Sequence, residues 1–164
     1  MISKHKIAWA MAILAALGLS GCTEAPYASQ LPEKPLVEKG GIEGTAWRLV
    51  EFQSMDDAQG TTRPANPDAY TMELGADGRV AFRLDCNRGM GDWSATPAAD
   101  GMSGTISFSR LAVTKAFCPP PSMGESLERD TQYMRGYLLR DGHLNISLMA
   151  DGGIYVWEPI ESED

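Results

Sequence analysis

Three cysteines and a dense polar stretch around position 86 are where this chain could do chemistry. Asp85, Asn87, Arg88 and Asp92 fall within eight residues, and such a density of charge and amide invites an active-site reading. Asp and Asn equally favour turns, because their side chains bond nearby backbone amides, so a polar loop between strands is the plainer account. Cys86 and Cys118 stand 32 positions apart. In an exported chain two thiols suggest one structural disulfide; unpaired buried thiols, or a nucleophilic or redox cysteine, are the alternatives. A redox pair is expected as Cys-x-x-Cys, which is absent. A nucleophile needs a base, and beyond residue 22 the histidine is His143, beside Gly142, where a solvated strand residue is the simpler reading.

Other chemistries find less support. Asp56, Asp57 and Asp68 lack the Asp-x-Asp-x-Asp-Gly spacing of a calcium loop. The sequence shows neither a Gly-x-Ser-x-Gly elbow nor a His/Cys cluster for a metal. Paired carboxylates distant in sequence remain an open route to hydrolysis. The expectation is no catalytic residue, no metal and no cofactor.

The N-terminus carries an address. Lys4 and Lys6 precede the apolar run Ile7–Leu19 and the small residues Ser20-Gly21, the three parts of a secretory signal. The run is shorter than the roughly 20 residues a spanning helix needs. Leu19-Ser20-Gly21-Cys22 resembles the lipobox of bacterial lipoproteins. That resemblance implies removal of residues 1–21 and acylation of Cys22, with several acyl chains holding the protein to a membrane. Thr23 rather than Asp after the cysteine favours, by the same resemblance, the outer membrane with the domain facing the periplasm. Residues 22–43 hold scattered charge, Pro26, Pro32, Pro35 and Gly40-Gly41 without apolar period, and read as a lipidated flexible tether. The domain is expected over residues 44–160, with an acidic tail at 161–164.

The bulk composition narrows the partners. The chain has 164 residues, 14 Lys and Arg against 22 Asp and Glu, and a net charge of −8. Such a protein repels nucleic acid and anionic membrane surfaces, so membrane attachment rests on lipid and no nucleic-acid partner is expected.

The positioning elements follow from alternation. Tyr70, Met72 and Leu74 alternate with polar neighbours, Gly75–Gly78 turns the chain, and Val80, Phe82 and Leu84 alternate again. A second hairpin runs from Leu144–Leu148 through Ala150–Gly153 into Ile154–Glu158. Asp141-Gly142 marks a tight turn after a strand near Tyr137–Arg140. Shorter strands are expected at Ala46–Phe52, Gly91–Thr96 and Gly104–Ser109. One helix follows Pro119–Pro121: Ser122 and Glu125 have the spacing of a capping box, and Met123, Leu127, Met134 and Tyr137 could form one apolar stripe. Antiparallel strands with one principal packed helix make an α+β domain. Trp47, Trp157, Phe82 and Phe108 read as core, and so does Trp93. If exposed, Trp93 would lead a candidate contact surface with Asp85, Asn87 and Arg88.

Thr45-Ala-Trp-Arg-Leu49, Asp85-Cys-Asn-Arg-Gly89, Leu111–Cys118, Leu144–Leu148 and Tyr155-Val-Trp157, in this order, resemble the META domain of HslJ-type heat-shock lipoproteins. Two departures stand out. Asp85 replaces a Gly of the family pattern, which either alters that corner or shows that it needs no positive φ; Ala116-Phe117 replaces Met-Ala before the second cysteine. The resemblance implies a strongly curved antiparallel sheet, a partial barrel, with a helix packed on it. It implies an envelope location and stress tolerance and brings no active site. The function expected is a non-enzymatic envelope lipoprotein that binds an envelope protein partner. A carboxylate-dependent hydrolase of cell-wall or glycan material, or an inhibitor of an envelope enzyme, is the alternative.

Overall fold

A computed structural model describes residues 41–161. The secretory signal, Cys22, most of the tether and the last three residues of the acidic tail lie outside the described residues. Among the described residues the strands are β1 (Thr45–Gln53), β2 (Thr61–Thr62), β3 (Tyr70–Leu74), β4 (Arg79–Leu84), β5 (Asn87–Pro97), β6 (Ser103–Phe108), β7 (Ala112–Val113), β8 (Met134–Arg140), β9 (His143–Leu148) and β10 (Ile154–Pro159). One α-helix, α1 (Gly124–Thr131), precedes β8.

The sheet closes on itself. All pairings are antiparallel, and the order β10-β9-β8-β6-β5-β4-β3-β1 returns to its start because β1 also pairs β10, from Trp47 opposite Pro159 to Gln53 opposite Ile154. The expected partial barrel is therefore a closed barrel of eight strands. The pairing that closes it joins the two ends of the domain, and alternation within a strand does not name a strand's partner. Bulges accompany the curvature, in β1 between Leu49 and Glu51 and in β8 between Met134 and Gly136. Closure leaves few strand edges to attract other chains. The small strands β2 and β7 add to the outer edges of β1 and β5.

The core follows the alternation. Tyr70, Met72 and Leu74 face Leu84, Phe82 and Val80 across the first hairpin, and all six are buried. Trp47, Leu49, Ile106, Leu144, Ile146, Tyr155 and Trp157 join them in the interior, which reaches back to Ile42. Asp141 and Gly142 both take positive φ between β8 and β9, as a two-residue hairpin turn requires.

Helix α1 covers the end of the barrel where β3 and β5 begin and β4 finishes. Leu127 is fully buried there, and Tyr70, at the start of β3, accepts the Met123 N–H on its hydroxyl at 3.0 Å. Gly124 lies so close to the end of β4 that a Cβ would come within 2.7 Å of the Leu84 carbonyl oxygen. Two expectations are corrected here. The capping residue is Met123, with no side-chain cap bond; Ser122 Oγ instead accepts from the Gly124 N–H at 3.2 Å. The helix also stops at Thr131, so Met134 and Tyr137 bury their side chains from β8, not along a helical stripe.

Candidate functional site

The cysteine pair and its neighbours come together at the capped end of the barrel. Asp85 and Cys86 form the two-residue turn between β4 and β5, with Leu84 opposite Asn87. Asp85 has φ +63°, so the corner does need a positive φ, and Asp meets the need that the family's Gly would meet without strain. Its N–H donates to Ala69 O at 2.8 Å. Cys86 is bonded to Cys118 as a disulfide, which ties this turn to the segment entering α1.

Asn87 makes a second brace within the first. Its Nδ2 donates to Ala116 O at 2.9 Å, and its Oδ1 accepts from Ala116 N at 2.8 Å and from Thr114 Oγ1 at 2.9 Å. The amide thus pairs with both the N–H and the C=O of Ala116, as a residue of another strand would. Thr114 in turn exchanges bonds with the backbone of Arg88, accepting the Arg88 N–H on Oγ1 and donating its N–H to Arg88 O, both at 3.0 Å. Asn87 and Thr114 are held in these bonds, while the Arg88 side chain projects from the outer face.

Between the two braces stands Phe117, 86% exposed, the most exposed of the large apolar side chains among the described residues. It lines grooves of about 260 and 270 Å³ with Asn87, Ala116 and Glu125. Beside them a shallow groove of about 670 Å³ runs between α1 and the 110–115 segment, lined by Arg110, Leu111, Lys115, Glu128, Thr131 and Gln132. Across it Lys115 Nζ meets both Glu128 carboxylate oxygens, at 2.7 and 2.8 Å. The far end of α1 is pinned by Tyr155, whose hydroxyl donates to Asp130 Oδ2 at 2.8 Å. Burial first, and then the Asp130 charge, push that phenol far above its ordinary range.

The expected contact surface divides. Asp85, Asn87 and Arg88 are neighbours at the rim, but Trp93 is 7% exposed and its Nε1 donates to Gly75 O at 3.0 Å. Trp93 belongs to the core, because an indole N–H can be buried once a carbonyl accepts it. The loop carboxylates are exposed: Asp56 accepts from Gln59 and from the Ala58 N–H, which lower its pKa, and Asp68 pairs Arg48 at 2.7 Å. His143 Nδ1 lies 3.0 Å from Asp141 O at the β8–β9 turn. Among the described residues no group of three or more His, Cys, Asp or Glu could hold a metal. Phe117 escaped the reading of the sequence, where it figured only as a departure from the family pattern. It sits in no alternation, and an apolar residue outside a periodic run gives no sign of its exposure.

Comparison with known proteins bears on the fold. Residues 40–146 match the model of the META domain. No curated protein matches. Among solved structures, a DUF4847 family protein from Bacteroides vulgatus is similar at 13% identity, covering 73% of this chain and 95% of that one, with a TM-score of 0.47.

Proposed function

This chain belongs to the META domain family, and from that premise we propose that it is a non-enzymatic lipoprotein of the bacterial outer membrane that supports envelope integrity under stress by binding a protein partner. The observation that carries the binding reading is Phe117, presented to solvent from a segment that a disulfide and an amide clamp hold still. A large aromatic side chain in a fixed setting is what an interface anchor requires. Fixing it beforehand removes ordering cost from association. The lipobox-like Leu19–Cys22 supports the membrane address. Against the hydrolase alternative weighs the state of Glu128, whose two oxygens are both taken by Lys115.

The test is capture from cross-linked envelopes, with full-length protein and its Phe117→Ala variant. The wild type should recover one reproducible partner that the variant loses, while the variant's melting temperature stays put because Phe117 packs against little. Retention of the partner by the variant, or no partner across growth and stress conditions, would sink the reading. Intact mass should show an acylated Cys22; an unmodified soluble product would remove the anchor.

A further inference from the structure

The outer face of the sheet carries a row of charge that the barrel does not need. Cross-strand register sets Glu158, Arg48, Thr71, Arg83 and Arg88 side by side over β10, β1, β3, β4 and β5. Arg48 is compensated: it bonds Asp68 at 2.7 Å and Glu158 at 2.8 Å, which raise its pKa in that order. Those bonds use Glu158, the row's one carboxylate, and Asp68, which precedes β3. Among the described residues Arg83 donates to the Asp68 carbonyl oxygen alone, at 3.1 Å. Asp92 lies 3.5 Å from Arg79 instead. Among the described residues neither Arg83 nor Arg88 has an ion-pair partner.

These two cations stand directly opposite each other. The N–H and C=O of Arg88 turn away from β4 to Thr114, which makes Arg83 and Arg88 a non-hydrogen-bonded pair, the kind whose side chains stand closest. Like charges so placed destabilise a sheet. A chain of net charge −8 has carboxylates in excess, yet among the described residues none pairs with either arginine. Next to it along the strands Ala81 lies opposite Met90, whose side chain is 55% exposed.

We propose that Arg83 and Arg88 are the docking point for a carboxylate-rich segment of a protein partner, which lies along the β4–β5 face with Met90 under its apolar groups. Charge complementarity selects the partner: two guanidiniums pair carboxylates bidentately, and the unbalanced repulsion between them is relieved only in the complex. A membrane surface fits less well, because the net negative charge of the whole chain opposes approach to an extended anionic plane. A small free anion fits less well too, because the pair sits on an open strand face with no ring of backbone N–H groups to enclose one. The inference rests on the partner-binding reading above and gives that partner its chemistry.

The test uses full-length protein and a fluorescein-labelled hexaglutamate peptide at low ionic strength. Saturable binding should weaken at least tenfold in the Arg83→Gln/Arg88→Gln variant and with added salt, and should be unchanged in Arg140→Gln, a surface arginine at the other end of the barrel. Arg88→Gln alone should also raise the melting temperature at low salt by a degree or more, since it removes the repulsion. Equal peptide binding by wild type and the double variant overturns the proposal, as does inorganic phosphate or a phosphatidylglycerol vesicle competing as well as the peptide. A melting temperature that falls in Arg88→Gln overturns the premise of an unbalanced pair. If the partner captured from envelopes depends on Phe117 while peptide binding ignores the arginines, this inference fails and the binding reading stands. Arginine-dependent peptide binding with no partner captured leaves the docking point intact and removes that reading.

Discussion

Replacing Asn87 by Asp changes one atom's chemistry and leaves the shape, so it isolates what the amide clamp does. In the folded chain Oδ1 would keep both of its donors, Ala116 N and Thr114 Oγ1. At Nδ2, which donates to Ala116 O at 2.9 Å, a carboxylate oxygen would instead face a carbonyl oxygen. Losing this exposed bond costs up to about 1 kcal/mol, and the opposed oxygens add a comparable amount, so the loss should be about 1–2 kcal/mol at neutral pH. Asn87→Ala forfeits all three bonds but lets water reach the half-exposed gap, and should cost a similar amount. Only the acidic variant carries a pH signature. A protonated carboxyl can donate to Ala116 O as the amide does, so the folded state holds its proton more tightly than the unfolded chain, where the ordinary value is about 3.9. More protons bound in the native state means that stability falls as pH rises between the two values. The penalty of Asn87→Asp should therefore shrink as pH is lowered toward about 4, whereas the penalty of Asn87→Ala should not. Urea unfolding of both variants and the wild type at a series of pH values, with the disulfide intact, measures this directly. Parallel curves for the two variants would refute the bidentate clamp.

Three further substitutions follow from the geometry. Replacing Cys86 and Cys118 together by Ala, or reducing them, should cost about 3–4 kcal/mol by the loop-closure estimate for 32 residues; a denaturation midpoint that ignores reductant would contradict it. Asp85→Gly relieves φ +63° in a non-glycine residue and should stabilise by about 0.5 kcal/mol, the relief of strain outweighing the greater freedom of the unfolded chain; thermal unfolding would show it, and a lower midpoint would argue against strain there. Gly104→Ala would set a Cβ 2.4 Å from the Thr96 carbonyl oxygen and 2.6 Å from the Tyr137 ring, which predicts a loss of about 1–3 kcal/mol and reduced amide protection along the β6–β8 seam.

The strands that were legible in the sequence are those with one wet face. Tyr70–Leu74 and Val80–Leu84 read correctly because every second side chain is buried against the barrel interior. Their closure was illegible, since the β1–β10 ladder depends on a curvature that no local pattern records. The apparent helical stripe had a specific cause. The bulge between Met134 and Gly136 inserts a residue into β8, so the inward positions Met134 and Tyr137 lie three apart and imitate a helix. The disulfide is legible in the cysteine count together with the expected export, whereas Asn87 reads there only as a turn former. What it bonds depends on a segment 27 to 29 residues away.

The two braces are nested, and the nesting says what each contributes. The Cys86–Cys118 bond already closes the loop that contains Thr114 and Ala116. Once the loop is closed, little further chain entropy remains for Asn87 to remove. Its bonds therefore set orientation more than topology: they fix which way the Ala116 N–H and C=O face, and with them the direction in which Phe117 leaves the backbone. A clamp needed only for stability could sit anywhere along the loop. One placed on the residue before the exposed aromatic side chain points to presentation of that side chain. On this argument the Asn87→Ala variant should keep its disulfide and its barrel yet lose amide protection first at residues 114–118, and it should lose the captured partner together with Phe117→Ala. Protection at 114–118 equal to that of the wild type would mean that the disulfide alone holds the rim.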